Sequence, residues 1–209
     1  MLLLIELIYS MLIPPWKDTR IHSLGNHGLL GYIHALAAKS ITEIIDEKAY
    51  NGYNVRSLLD ENKNAVDFGC GTGTSTPNGA IGVDCSKEML HVARNTYPDK
   101  KFVRGLAERW GVSRMVSVSI CSFLLHEQPM DRRHRILKNA YRVCRDYMLV
   151  MDIDPVYKPS FMMLLGEPYI LDYLDNIDSD IFNLFDEYSR TEVVPGHVIL
   201  WNITKIGND

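Results

Sequence analysis

The stretch "DFGCGTGTSTPNGAIGVD", residues 67–84, decides the fold. It opens as a strand running into a glycine-rich turn. It then reaches a second apolar run and a terminal aspartate, with little room for a helix between them. Glycines at 69, 71 and 73 give G-x-G-x-G, with Asp67 ahead of them at the strand end. Glycine tolerates positive φ in such a turn and lets a ligand approach the backbone with no Cβ in the way. A lone G-x-G-x-G is also an ordinary tight turn. The acid before it and the strand-terminal acid after it are what favour a ligand site.

A dinucleotide fingerprint, G-x-G-x-x-G, fails in both registers, because the sixth position is Thr74 counted from Gly69 and Thr76 counted from Gly71. A pyrophosphate also leans on the N-terminus of the helix after the loop, where the dipole and free N–H groups favour an anion. Only Thr74 to Gly79 lie between the loop and the next strand, with Pro77 and an Asn-Gly turn signal inside. A five-residue strand is roughly 17 Å long and six or seven extended residues reach about 20–24 Å. The chain can thus return as a nearly extended crossover. The topology survives and the anion-binding helix largely does not. This favours a cofactor without a pyrophosphate, its amino-acid portion on the loop backbone and its ribose hydroxyls on Asp84 at the adjacent strand end.

Outward from this stretch, short apolar runs recur at Ala65 to Phe68, Ala80 to Val83, Lys101 to Val103, Met115 to Cys121 and Tyr147 to Ile153. Helical patterns separate them at Ser86 to Thr96 and Asp131 to Cys144, so a doubly wound, mostly parallel sheet is expected. Upstream, Leu29 to Tyr50 and a shorter "NVRSLLDEN" read as helices. Downstream, "PSFMMLLGEPYILDYLDNIDSDIFNLFDEY" reads as two helical stretches, and "RTEVVPGHVILWNIT" as two strands around a Pro-Gly turn. The expected fold is α/β and Rossmann-like: seven strands, an antiparallel C-terminal hairpin and a nearly absent first crossover helix. One domain is expected over residues 1–209, with N-terminal helices (1–60) capping the substrate side, a cofactor core (61–155), and lid helices plus hairpin (156–209).

Composition narrows the partners. Net charge is −4 and the 22 basic residues are scattered, which speaks against nucleic acid. Cys70, Cys85, Cys121 and Cys144 form no CxxC pair and no histidine stands near them at ligand spacing, so no metal is expected and reduced thiols fit a cytoplasmic location. The apolar "MLLLIELIYSMLIPPW" has no basic n-region or cleavage site, carries Glu6, and ends at Pro14, too short to span a bilayer. It reads as a helix docked over the core or a substrate pocket, with peripheral membrane contact and a signal anchor as the alternatives.

These residues resemble the class I S-adenosylmethionine-dependent methyltransferases. "VDFGCGTG" resembles their first motif and "IGVDCSKEML" their second strand, acid and helix, with Ser86, Glu88, Met89 and Leu90 in the usual D-x-S-x-E-M-L phrase. "KFVRGLAE" is similar to the third motif, "SVSICSFLLHE" to the fourth strand, and "ILKNAYRVCRDYMLVMDIDP" to the fifth helix and strand. The resemblance covers roughly residues 60 to 155. It implies S-adenosylmethionine as cofactor, with S-adenosylhomocysteine as product. Asp67, Gly69, Gly71 and Gly73 would then line its methionine end, Asp84 would hold the ribose, Cys85 and Ala107 would meet the adenine, and Cys121 and Ser122 would lie near the sulfonium. Leu106 stands where the third motif usually has an acid, leaving the adenine to backbone groups or Glu108. Ser117 replaces the aspartate that usually opens the fourth strand, and Arg145 and Asp146 replace the glycine pair before the fifth.

Methyl transfer is an in-line displacement, so such a protein mainly aligns the acceptor and removes a proton where one must leave. His126 and Glu127 beyond the fourth strand are the candidates to face the acceptor, and the histidine equally suits a purely structural role tying loops together. Trp16, Arg20, His22, Tyr157 and Tyr169 fall in the segments where this fold usually builds its substrate lid. The expected partner is a small-molecule or lipid-like acceptor. A catalytically silent cofactor-binding module and a nicotinamide-dependent oxidoreductase are the competing readings, the latter weakened by the failed fingerprint.

Overall fold

The computed structural model describes residues 32, 33, 35–37, 52, 54–60, 64–111 and 114–206. The apolar N-terminal segment and Trp16, Arg20 and His22 lie outside the described residues. So does most of the helix expected over Leu29 to Tyr50, although its described positions are helical and bury Ala35 against Met89 and Val92.

Seven strands form one sheet in the order β3-β2-β1-β4-β5-β7-β6. They are β1 (Ala65–Phe68), β2 (Ile81–Asp84), β3 (Lys101–Arg104), β4 (Val116–Ser122), β5 (Cys144–Ile153), β6 (Tyr188–Val194) and β7 (Val198–Thr204). β1 to β5 pair in parallel, while β7 pairs antiparallel with both β5 and β6. All four residues of β1 are buried, as a central strand covered on both faces requires. The hairpin joining β6 to β7 turns through Pro195 and Gly196, whose φ of +68° suits glycine.

The helices are α1 (Lys87–Thr96), α2 (Met130–Val143), α3 (Phe161–Gly166) and α4 (Ile170–Leu184). Ser86 caps α1, its Oγ accepting the Met89 N–H at 3.1 Å. Ile136, Leu137, Ala140 and Val143 of α2 recur at helical spacing and pack with Ile177 and Ile181 of α4 over one sheet face. On the other face Val55 and Leu59, from a 3-10 turn at Val55–Leu59, cover Ala65, Val118 and Met151. Arg133 of α2 is fully buried and locks α4 in place, donating to Asp180 at 2.7 Å and Asp172 at 3.1 Å, while His134 meets the other Asp180 oxygen at 2.6 Å.

Between β1 and β2 there is no helix: residues 74–79 are a bend, two residues of irregular chain and a turn, as the chain length dictates. The structure substitutes side chains for the missing helical hydrogen bonds. Ser75 and Thr76 donate their hydroxyls to the buried Asp67 carboxylate at 3.2 and 2.7 Å. The Lys100 ammonium donates to the carbonyls of Gly73 and Thr76 and lies 4.3 Å over the Tyr97 ring. Burial nevertheless raises the Asp67 pKa to about 6 against those two hydrogen bonds, with the Asp84 charge adding to the rise.

Candidate active site

The strand order reverses between β1 and β4, and the carboxyl ends of β1, β2 and β4 open there into a cavity of about 220 Å³. Open α/β sheets place ligands at this switch point. Gly69, Gly71 and Gly73 all have positive φ, at +68°, +51° and +82°. The N–H groups of Gly69 and Cys70 donate to the Val83 carbonyl at 2.8 and 3.2 Å, which fastens the loop to β2. A Cβ on Gly71 would meet nothing within 4 Å, so this glycine leaves the cavity open, whereas one on Gly69 would strike Leu124 at 2.6 Å and one on Gly73 would strike Phe102 at 2.5 Å.

Asp84 stands at the cavity wall and accepts the Gly71 N–H at 2.9 Å on one oxygen and the Ser86 N–H at 2.8 Å on the other. The acid thus sets the loop geometry as well as facing the site. Cys85, Leu106 and Ala107 also line the wall, and burial raises the Cys85 thiol pKa to about 12, with Asp84 adding to it. Beside them Glu108 receives Arg132 Nε at 3.1 Å and Nη2 at 2.6 Å on a single oxygen.

The fourth-strand end supplies the rest. Ser122 and Gln128 line the cavity, and Ser122 Oγ and Gln128 Oε1 are buried with no hydrogen-bond partner. Phe123 has φ +50°, a conformation that costs a non-glycine residue about 1 kcal/mol or more and turns the chain sharply out of the sheet. Arg56 stacks 4.4 Å over its ring and also lines the wall. A 3-10 turn at Leu125–Glu127 then brings Glu127 to the cavity.

Not every expected residue reaches the wall. Asp67 lies behind the loop as its strut, and Gly73 turns the chain, with Thr72, Thr74 and Ser75 presented in its place. Cys121 points into the core, fully buried, because successive strand residues alternate faces, and its neighbour Ser122, also buried, takes the cavity side. Tyr157 packs on the core beside His197, ring centroids 5.4 Å apart, and Tyr169 precedes α4 as its N-cap; neither lines the cavity. His126 stands one step behind Glu127. Its Nδ1 is 2.6 Å from Asp152 Oδ1, while Asp152 Oδ2 accepts the Leu125 N–H at 2.8 Å. Burial opposes protonation of this ring, but the Asp152 charge and hydrogen bond outweigh it, with Glu127 and Glu167 adding, and the pKa rises to about 9. Burial also raises Glu127 to about 8, partly offset by His126 and reinforced by the neighbouring carboxylates.

Sequence reading missed Arg56, Thr72, Thr74, Met89, Phe123, Leu124, Gln128 and Arg132 as wall residues. Their signal was position, next to a motif, and Arg56 came from a segment with no motif at all. All four cysteines are free, and no helix among the described residues is long and apolar enough to cross a membrane.

Residues 65–147 match a family model described as a methyltransferase domain. Comparison with curated proteins gives no sequence match. The fold is similar to that of the mitomycin 7-O-methyltransferase MmcR, at 15% identity over 91% of this chain and 62% of that one, with a TM-score of 0.65. It is similar too to an O-methyltransferase family protein from Burkholderia thailandensis, at 11% identity, 99% and 72% coverage and a TM-score of 0.60. A third likeness is DhpI in its SAH complex, at 14% identity, 83% and 93% coverage and a TM-score of 0.59. The glycine loop and the strand-terminal acid that fastens it both lie in the matched segment, and over residues 65–147 the chain is similar to a methyltransferase domain on a sheet of methyltransferase-like order.

Proposed function

We propose that the chain transfers the S-adenosylmethionine methyl group to a small-molecule acceptor bound against Glu127. The observation that carries this is the wall of a single cavity. It has a backbone cradle at Gly71 that a Cβ would fill and orphaned polar atoms on Ser122 and Gln128. Two acids, Asp84 and Glu127, also line it. These suit the cofactor: loop N–H groups and Ser122 for the amino-acid end, Asp84 for the ribose hydroxyls, and Cys85, Leu106, Ala107 and Glu108 around the adenine. When bound, the cofactor supplies a methyl carbon activated by positive sulfur.

The chain's own groups then do the positioning. Asp84 holds the loop and ribose in one register, because the same carboxylate fixes Gly71. Glu127 orients the acceptor, where alignment along one line lowers the barrier by pre-paying the entropy of approach. His126 stands behind Glu127 and is held by Asp152, whose charge and hydrogen bond raise its pKa to about 9, so it supports the turn that carries Glu127. Trp16, Arg20 and His22, outside the described residues, stay acceptor-contact candidates in this reading, whereas Tyr157 and Tyr169 do not line the cavity. Peripheral membrane contact by residues 1–13 and a lipid-like acceptor belong to the same reading.

Isothermal titration with S-adenosylhomocysteine tests the cofactor half, and absence of binding at millimolar concentration overturns it. Incubating chain and S-adenosylmethionine with metabolite extracts, and searching for a compound that gains about 14 mass units, tests the transfer. Tight cofactor binding with no release of S-adenosylhomocysteine against any extract would instead make the chain a silent cofactor-binding module.

A further inference from the structure

We propose that His126, Glu127 and Glu167 form a binding site for one first-row divalent cation at the acceptor end of the cavity. His126 and Glu127 come from the short turn after β4, and Glu167 from the residue that ends α3. One ligand atom from each lies within 4.8 Å of the other two. Neither the fourth-strand motif nor the spacing along the chain joins Glu167 to the other two; only the fold does.

Two further observations point to a ligand. The His126 side chain is 9% exposed, and its Nδ1 is committed to Asp152 at 2.6 Å, so Nε2 is the ring nitrogen left to act, releasing its proton to solvent when a cation binds. Among the described residues Nε2 makes no hydrogen bond, and neither does the Glu127 carboxylate. The second is the Asp152–His126 pair itself. Histidines that ligate metals donate their other ring N–H to a carboxylate, which fixes the tautomer and aims the ligating nitrogen. Asp152 is fully buried and anchored by the Leu125 and Ile153 N–H groups, so this aim is rigid.

The donor set selects the ion. One imidazole with two carboxylates suits Mn²⁺, Fe²⁺, Co²⁺ or Zn²⁺ better than an all-oxygen ion such as Ca²⁺. At ligand distances of about 2.1 Å the donor atoms would stand about 3 to 4 Å apart, so the three groups need draw in only by about an ångström. Glu127 faces the cavity as well, so open coordination positions would point at the acceptor and favour one that binds through oxygen or nitrogen. This last step rests on the proposed function; the cation site does not.

The test uses the tag-free full chain after chelation and dialysis, titrated with Mn²⁺ and followed by calorimetry and electron paramagnetic resonance. One Mn²⁺ per chain is expected, with nitrogen coupling from one imidazole in the pulsed spectrum. Glu167→Gln and Glu127→Gln should each weaken binding by roughly tenfold to a hundredfold. Glu167→Gln should leave S-adenosylhomocysteine affinity unchanged, which also reports that the variant folds. No Mn²⁺ or Zn²⁺ binding below millimolar by the wild-type chain overturns the site. So does bound Mn²⁺ without nitrogen coupling, or with affinity indifferent to both variants. Loss of S-adenosylhomocysteine binding by the wild-type chain would overturn the cofactor reading and leave the Mn²⁺ result standing by itself.

Discussion

Thr76 Oγ1 donates to Asp67 Oδ2 at 2.7 Å, joining the end of the first strand to the crossover that replaces a helix. With Ser75 on the same oxygen at 3.2 Å, it is the main partner of a carboxylate that is fully buried. Thr76→Val keeps the shape and removes the donor, so it should destabilise the chain by about 1–3 kcal/mol in chemical denaturation. A loss no larger than that of an exposed Thr→Val control would show that the strut is dispensable.

The same carboxylate gives a pH signature. Its folded pKa of about 6 stands above the ordinary 3.8, so the folded chain holds the proton more tightly than the unfolded one, and stability falls as pH rises from about 4 to about 6. Two units correspond to about 3 kcal/mol. Asp67→Asn carries no charge, so its stability relative to wild type should improve by up to that amount between pH 4 and pH 7. Urea midpoints of the two proteins that run parallel across this interval would refute the assignment.

Gly71 and Gly196 provide a matched pair. Both have positive φ and open space where a Cβ would go, but only Gly71 faces the cavity. Alanine at either position should cost about 1–2 kcal/mol of stability. Only Gly71→Ala should also reduce S-adenosylhomocysteine affinity, measured by calorimetry on both variants.

Asp84→Ala removes the proposed ribose acceptor and the anchor of the Gly71 N–H together. Its cofactor affinity should drop by roughly 1.5–3 kcal/mol, about tenfold to 150-fold. A dissociation constant within threefold of wild type would place the ribose elsewhere.

Arg133 is buried between Asp180 and Asp172, and truncating it leaves acids without their cation. Arg133→Met should destabilise by about 3–5 kcal/mol, and adding Asp180→Leu should restore part of that loss. A double variant less stable than the single one would argue against the ion pair as the cause.

The strand sequence was legible because buried parallel strands are short apolar runs, and β1 was read to the residue. The empty crossover was legible from length alone, since Thr74 to Gly79 cannot hold a helix and still span the sheet. β5 was harder: it begins at Cys144, three residues before the apolar run, because the α2 chain passes straight into the strand with no glycine to mark the change. At the site, glycines and strand-end acids announce themselves by position. The distinction between Cys121 and Ser122 depends on which face of the strand the register turns outward, and an apolar run buried on both sides carries no such mark. Glu167 meets Glu127 only through the path of α3, which no local pattern encodes.

The short crossover also bears on how the chain folds. Phe68 pairs with Val83 across a loop of about fifteen residues, without the helix that normally lengthens a parallel connection. Closing a shorter loop costs less chain entropy, by about 0.6 kcal/mol for each halving, and local contacts speed folding. The β1–β2 pair, the glycine turn and the Asp67 strut therefore form a low-contact-order seed. The proposed cofactor cradle is part of the segment best placed to assemble first, before the hairpin at the far edge joins the sheet.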